Sequence, residues 1–210
     1  MSTAARTEAP ASGPLDIFPL HAVLVPGASL DLRVFEARYL DLVRDCGRNG
    51  VGFGVSLILS GDETGNPATS APFGTEALIE DFGGDDGGVL TLRVRGARRF
   101  HVQRIQVRDN GGQVADVSWC EAEARQPLRP EHGLLALLLQ SLLDRFGGEH
   151  AMAPSALLDD ASWVSWRLAE LLPLENTQRL QLLQMDDPHQ RLERILSLLP
   201  WNRWREALTA

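Results

Sequence analysis

The sequence predicts an α+β fold in which a β-rich lobe is followed by a helical one. Two observations carry this. From Leu15 to about residue 123, short apolar segments alternate with polar residues and are separated by Gly- and Asp-rich turns. That pattern suits a small β-barrel or rolled sheet. After Arg125-Gln126-Pro127 the apolar period lengthens to that of helices, with capping residues at their starts and Gly or Pro at their ends. The chain has 210 residues, 44% of them apolar, so it is long and greasy enough to bury a substantial core.

Residues 1–14 read as a polar, disordered tail. Phe18-Pro19-Leu20 and Ala22–Val25 read as short strands, broken by Pro26-Gly27, which fits a type II turn. Leu30, Leu32 and Val34 alternate with Asp31 and Arg33 as in a half-buried strand. Glu36–Cys46 reads as a helix with Tyr39, Leu40 and Val43 on one face and Gly47 as its left-handed stop. Further strands are expected over 52–58, 75–79, 89–94, 100–107 and 114–119. Helices are expected over 131–146, 160–172 and 176–185, and a fourth opens at Asp187-Pro188, a capping residue followed by proline at the first helical position. The β-lobe thus spans 15–123 and the helical lobe 124–210.

Composition removes several function classes. All 20 basic residues are arginine, so no lysine exists for a P-loop, a Schiff base or a Ser-Lys dyad. A net charge of −8 argues against a general nucleic-acid binder. Cys46 and Cys120 lie far apart, which suits a reducing cytoplasm and implies neither a disulfide framework nor a zinc site. No secretory leader or membrane span is expected, so the protein reads as soluble. The five histidines form no metal motif; His189 and Glu193, four apart on a helix, read as a solvent-facing pair. Ser56 falls inside a strand, and no nucleophile elbow surrounds it. Gly52 and Gly54, within NGVGFG, enter a strand and do not open a helix, so they read as sites of close approach and not as a phosphate cradle. Trp163 and Trp166 read as core, and Trp201 and Trp204 as a terminal helix docked on the body. The run Leu134–Leu139 is apolar around most of its helix and reads as buried; an exposed part of it would be an interaction patch.

Several ordered motifs resemble one family. FPLHAVLVPGASLDLRVFEARY at 18–39, FGVSLI at 53–58, GTEA at 74–77, LRVRGARRF at 92–100 and LPLENTQRLQLLQMDDPHQRLERILSLL at 172–199 are similar, in order, to the Lon protease N-terminal domain. The chain departs from that pattern at Ala37, where the family has Pro, and at Val25, where it has Phe. The resemblance implies a PUA-like β-barrel lobe followed by a C-terminal helical bundle, together one such domain, with LRVRGARRF as a hairpin. It also implies a non-enzymatic module without the ATPase and peptidase of full Lon proteases. Such a module would bind unfolded or exposed hydrophobic protein segments in protein quality control. Its partners would be partly folded proteins and a separate protease or chaperone. No cofactor and no metal are expected. Within the opening motif, Phe18, Leu20, Phe35 and Tyr39 are the candidate protein contacts, while Glu36, Arg38 and Tyr39 read as a corner tying strand to helix. The alternative is RNA binding through the Arg93–Arg99 hairpin, by Arg93, Arg95, Arg98 and Arg99.

Overall fold

The structure, a computed structural model, describes residues 12–63, 68–84 and 89–199. The expected tail therefore lies outside it up to residue 11, as do Trp201 and Trp204. The described chain forms two compact units. One holds the residues up to Leu24 together with Ser29–Glu121; the other holds Val25–Ala28 and the residues from Ala122 onward.

The first unit contains β1 (Ser12–Leu20), β2 (Ser29–Val34), α1 (Ala37–Asn49), β3 (Phe53–Ser60), β4 (Thr69–Gly84), β5 (Leu90–Val107) and β6 (Gln113–Trp119). The strand order is β2-β5-β4-β3-β1-β6, and β6 also pairs with β5, which closes five strands into a ring. Only β1 and β3 run parallel among these pairs. The 18 residues of β5 make this closure work: its first part pairs with β2 over Leu90–Arg95, and its second with β6 over Phe100–Val107.

Three expectations need correction here. Ser12–Pro14 are not tail; they begin β1, paired with Asp116–Ser118, because backbone pairing holds polar and proline residues at a strand end regardless of their propensity. LRVRGARRF is not a hairpin. It runs unbroken inside β5, and Gly96 faces Ala77 beside a bulge that places one extra residue on β5 between Gly96 and Arg99. Gly47 does not stop α1, which continues to Asn49; Gly50 (φ 62°) is the left-handed cap and donates its N–H to the Cys46 carbonyl. Gly47 answers a packing need instead, since a Cβ there would sit 3.2 Å from the Phe82 ring.

The ring's interior is built around Phe100, which packs with Leu15, Ile17, Ala115 and Val117. Glycine makes room for it. A Cβ on Gly54 would lie 2.7 Å from Ile17 Cδ1 and 2.8 Å from Phe100 Cζ, and one on Gly74 would overlap the same ring. Buried hydroxyls are satisfied by backbone: Ser56 donates to the Ala71 carbonyl at 2.8 Å and Thr75 to that of Leu24 at 2.6 Å. Residues 22–25 consequently form no strand; Leu24 spends its carbonyl on a side chain.

The second unit contains α2 (Gly133–Phe146), α3 (Ala161–Leu171), α4 (Asn176–Leu183) and α5 (Pro188–Leu198), with 3-10 turns at Pro130–His132 and Ser155–Asp159. Caps are written in the sequence: Asp160 accepts from Ser162 N–H at 3.1 Å, and Asp187 accepts from His189 N–H at 2.8 Å. Glu175 and Gln178 form a reciprocal capping box on α4. Helix α3 packs against α2 and α5, burying Leu135, Leu139, Leu168, Leu192 and Ile195. No helix among the described residues is long and apolar enough to cross a membrane.

Arginines organise this unit. Arg167 on α3 donates to the carbonyls of Pro26 and Gly27, which explains why the Pro-Gly turn belongs with the helices. The turn closes through Ala28 N–H to the Val25 carbonyl at 3.1 Å, with Gly27 at φ 77°, as a type II turn requires. Arg191, fully buried, forms a two-pronged pair with Glu123 (3.1 and 2.6 Å) and donates to Met185 O and Ser165 Oγ. Its guanidinium lies 3.5 Å from the centroid of the Trp166 ring. Arg179 bonds three backbone carbonyls, of Ala169, Leu172 and Leu174, and so seals the C-terminal end of α3.

Candidate functional site

Of the four expected protein contacts, three are buried. Phe18 stacks on Tyr39 with centroids 4.2 Å apart and tilts against Phe53 at 5.8 Å. Phe18, Leu20 and Tyr39 are all buried, whereas Phe35 is 63% exposed. The corner reading of the neighbouring residues describes what is seen: Arg38 pairs with Glu36 at 3.0 Å, lies over the Tyr39 ring and donates to the Gly111 carbonyl at 3.2 Å. Burial, only partly offset by Arg38, pushes the Tyr39 hydroxyl above its ordinary pKa.

Three arginines of β5, Arg93, Arg95 and Arg98, are engaged with carboxylates. Arg98 holds Glu76 by two bonds (2.9 and 3.3 Å) while lying 3.8 Å from the Trp119 ring centroid. Arg95 holds Glu80, and Arg93 reaches Glu80 and Asp31 at 4.0 and 3.9 Å. Arg99 is buried. Arg93, Arg95 and Arg98 thus present guanidiniums already facing carboxylates, on a strand and not at a hairpin tip.

The histidines fall otherwise than expected. His189 is buried, not solvent-facing, and its Nδ1 lies 3.3 Å from Nδ1 of buried His132, with the two rings within 19° of parallel. His189 stands in the first turn of α5, where its backbone N–H donates to the Asp187 cap. Burial lowers the His132 pKa below the ordinary imidazole value, and the neighbouring His189 adds to this. Among the described residues, Glu149, His150 and Glu170 bring three ligand atoms together, but the Arg167 guanidinium already stands 3.0 Å from Glu170 and bonds His150. A resident cation holds that cluster.

Neither Ser56 nor Cys46 is poised as a nucleophile. The Ser56 hydroxyl is spent on a backbone carbonyl inside the ring. The Cys46 thiol is pushed up to about 11, chiefly by burial and further by Asp16 and Asp45, which leaves it protonated and inert.

Exposed apolar side chains offer a different kind of site, one that periodicity did not reveal. Around the C-terminal turn of α1, Val51 (53% exposed), Leu78 (44%) and Phe82 (52%) form an apolar rim. The Phe82 ring approaches Gly47, and Leu78 approaches Gly52, where a Cβ would lie 3.0 Å from Leu78 Cδ2. The glycines keep the rim flat. In the helical unit, Leu134 and Leu137 are also exposed, three residues apart on α2, so the expected burial of that whole run is corrected. Only Leu135, Leu138 and Leu139 of the run face inward, since an amphipathic helix packed on one side leaves the other to solvent.

Comparison with known proteins bears on the family and the fold. The crystal structure of a Lon N-terminal domain protein from Xanthomonas campestris is 57% identical, with a TM-score of 0.77, over 90% of this chain and 99% of that one. The N-terminal domain of a Mycobacterium avium complex Lon protease shares the fold at 20% identity, with a TM-score of 0.64, over 88% of this chain and 97% of that one. No protein of curated function matches the chain. The family model for the ATP-dependent protease La (LON) substrate-binding domain spans residues 14–200, and the chain belongs to that family.

Proposed function

We propose that the protein is a non-catalytic binding module that captures unfolded or exposed hydrophobic segments of other proteins in cytoplasmic quality control. The family is a substrate-binding domain, and neither a protease nor an ATPase domain lies within these 210 residues. The observation that supports the finer reading is the apolar rim of Val51, Leu78 and Phe82, three solvent-facing side chains brought together from two segments of the chain. Phe35 extends the set of exposed aromatic contacts, while Phe18, Leu20 and Tyr39 hold the scaffold beneath. Capture is reversible burial of apolar surface, helped by strand addition along β2, the terminal strand of the sheet. A separate protease or chaperone would receive what is captured.

The test is binding of a fluorescent, permanently unfolded polypeptide to wild type and to the double variant Leu78→Ser, Phe82→Ser. Removing two half-exposed apolar side chains should weaken binding by about tenfold, from about 25 cal/mol per Å² of lost burial. Unchanged affinity in a variant that retains its unfolding midpoint moves the site away from the rim.

A further inference from the structure

Two buried imidazoles meet where two helices of the second unit begin. His132 occupies the position that opens α2, and His189 is the second residue of α5. Their Nδ1 atoms lie 3.3 Å apart and their ring centroids 5.4 Å apart. Elsewhere α5 is held by α3: Arg191 donates to Ser165 Oγ, and Leu192 and Ile195 are buried. The histidine pair thus ties only the first turn of α5 to the start of α2.

The chemistry of the pair makes that tie depend on protons. In a neutral pair one Nδ1 carries a hydrogen and donates it to the bare Nδ1 of the other ring. A proton added to the accepting Nδ1 turns that ring into an imidazolium and leaves two N–H groups facing each other, so the bond is lost. The new charge stands at the positive end of a helix, where a cation is disfavoured. Surrounding groups offset this only in part. Burial lowers the His132 pKa most, His189 and Arg129 add to the effect, and Glu131 in the 3-10 turn and Glu193 on α5 oppose it. Other charges on the packed elements are engaged or distant: Asp187 accepts from the His189 backbone N–H, Arg191 holds Glu123, Arg194 bonds Gln181, and on α3 Arg167 stands 3.0 Å from Glu170. Asp144 and Arg145 lie at the far end of α2.

We propose that His132 and His189 form a proton-operated latch, which holds the first turn of α5 to the start of α2 at neutral pH and releases it on acidification. The release is local, because the rest of α5 stays on α3. An imidazole in the open turn takes up its proton at about 6.5, above the lowered value of buried His132. The latch is therefore closed above that pH, and the open form gains as pH falls below it. This device stands apart from the binding of polypeptides and does not depend on it.

The experiment follows amide hydrogen exchange of the full chain by NMR from about pH 7.5 to about pH 5.5, each rate divided by its intrinsic rate at that pH. The reporter is the Arg191 amide, which donates to the Asp187 carbonyl at 3.1 Å across the first turn of α5; buried Leu168 on α3 is the reference. Protection of Arg191 should fall about tenfold over this range while that of Leu168 holds within about twofold. In the double variant His132→Gln, His189→Gln, whose amides hydrogen-bond but do not ionise, the Arg191 protection should change by less than about twofold. Constant protection of Arg191 in wild type overturns the latch. A fall shared equally by Leu168 also overturns it, since the event is then global unfolding. Should the double variant not fold, the ring nitrogen shifts of wild type decide: at neutral pH one ring should carry its hydrogen on Nδ1 and the other on Nε2, and two Nε2–H rings overturn the bond on which the latch depends.

Discussion

Arg191 shows how far a single residue can decide the helical unit. It is fully buried, yet its donors meet Glu123, Ser165 and Met185, and its face meets Trp166. A pair of this kind adds little over an apolar packing of equal volume, but breaking it strands a charge. Glu123→Ala is expected to cost about 3–5 kcal/mol of stability, read from the urea midpoint. Glu123 lies in an unremarked stretch, EAEARQ, and nothing in its spacing announces a partner 68 residues away. His132 makes a second prediction at this scale. Its folded pKa is below that of the unfolded imidazole, so the unfolded chain takes up protons first and stability falls as pH drops below about 6.5. Glu131 and Glu193 partly counter the shift, and Arg129 adds to it. Urea midpoints between pH 8 and pH 5 should fall in wild type and flatten in His132→Gln; parallel curves contradict the assignment.

At the scale of elements, helices were legible because their signals are local. Asp187-Pro188 marks a start that the structure repeats, and the helix expected from 160 opens with Asp160 as its cap, whereas the Glu175–Gln178 box emerges only in the structure. Strand extents were not. β4 and β5 pass through Gly74, Gly83 and Gly96, which locally read as turns, because the neighbouring strands supply pairing that no local pattern records. Gly54 and Gly74 are there for Phe100, and this can be tested. Gly54→Ala places a methyl within 2.9 Å of Leu15, Ile17 and Phe100, and should cost about 1–3 kcal/mol by overpacking. A thermal midpoint equal to wild type would show that the ring has slack the packing does not suggest. The candidate contacts fared according to the same logic. Phe18, Leu20 and Tyr39 are buried, as large apolar residues mostly are. The rim of Val51, Leu78 and Phe82 depends on two glycines meeting side chains from another strand, a juxtaposition made only by tertiary structure.

The whole molecule belongs to a substrate-binding domain family, and the proposed capture of polypeptides is tested at this scale. The Ser56 hydroxyl is bonded to a backbone carbonyl and the Cys46 thiol is held protonated, while Arg93, Arg95 and Arg98 of β5 face carboxylates. Apolar capture and electrostatic capture differ in how they respond to salt. The direct measurement is binding of a fluorescent unfolded polypeptide to the purified chain, titrated from low to high salt with a structured RNA as competitor. The account predicts affinity that holds within about threefold across the titration, as expected when few phosphates or carboxylates are neutralised, and no displacement by RNA. Affinity that collapses with salt, or polypeptide displaced by RNA, would contradict it and return the arginines of β5 to the centre of the function.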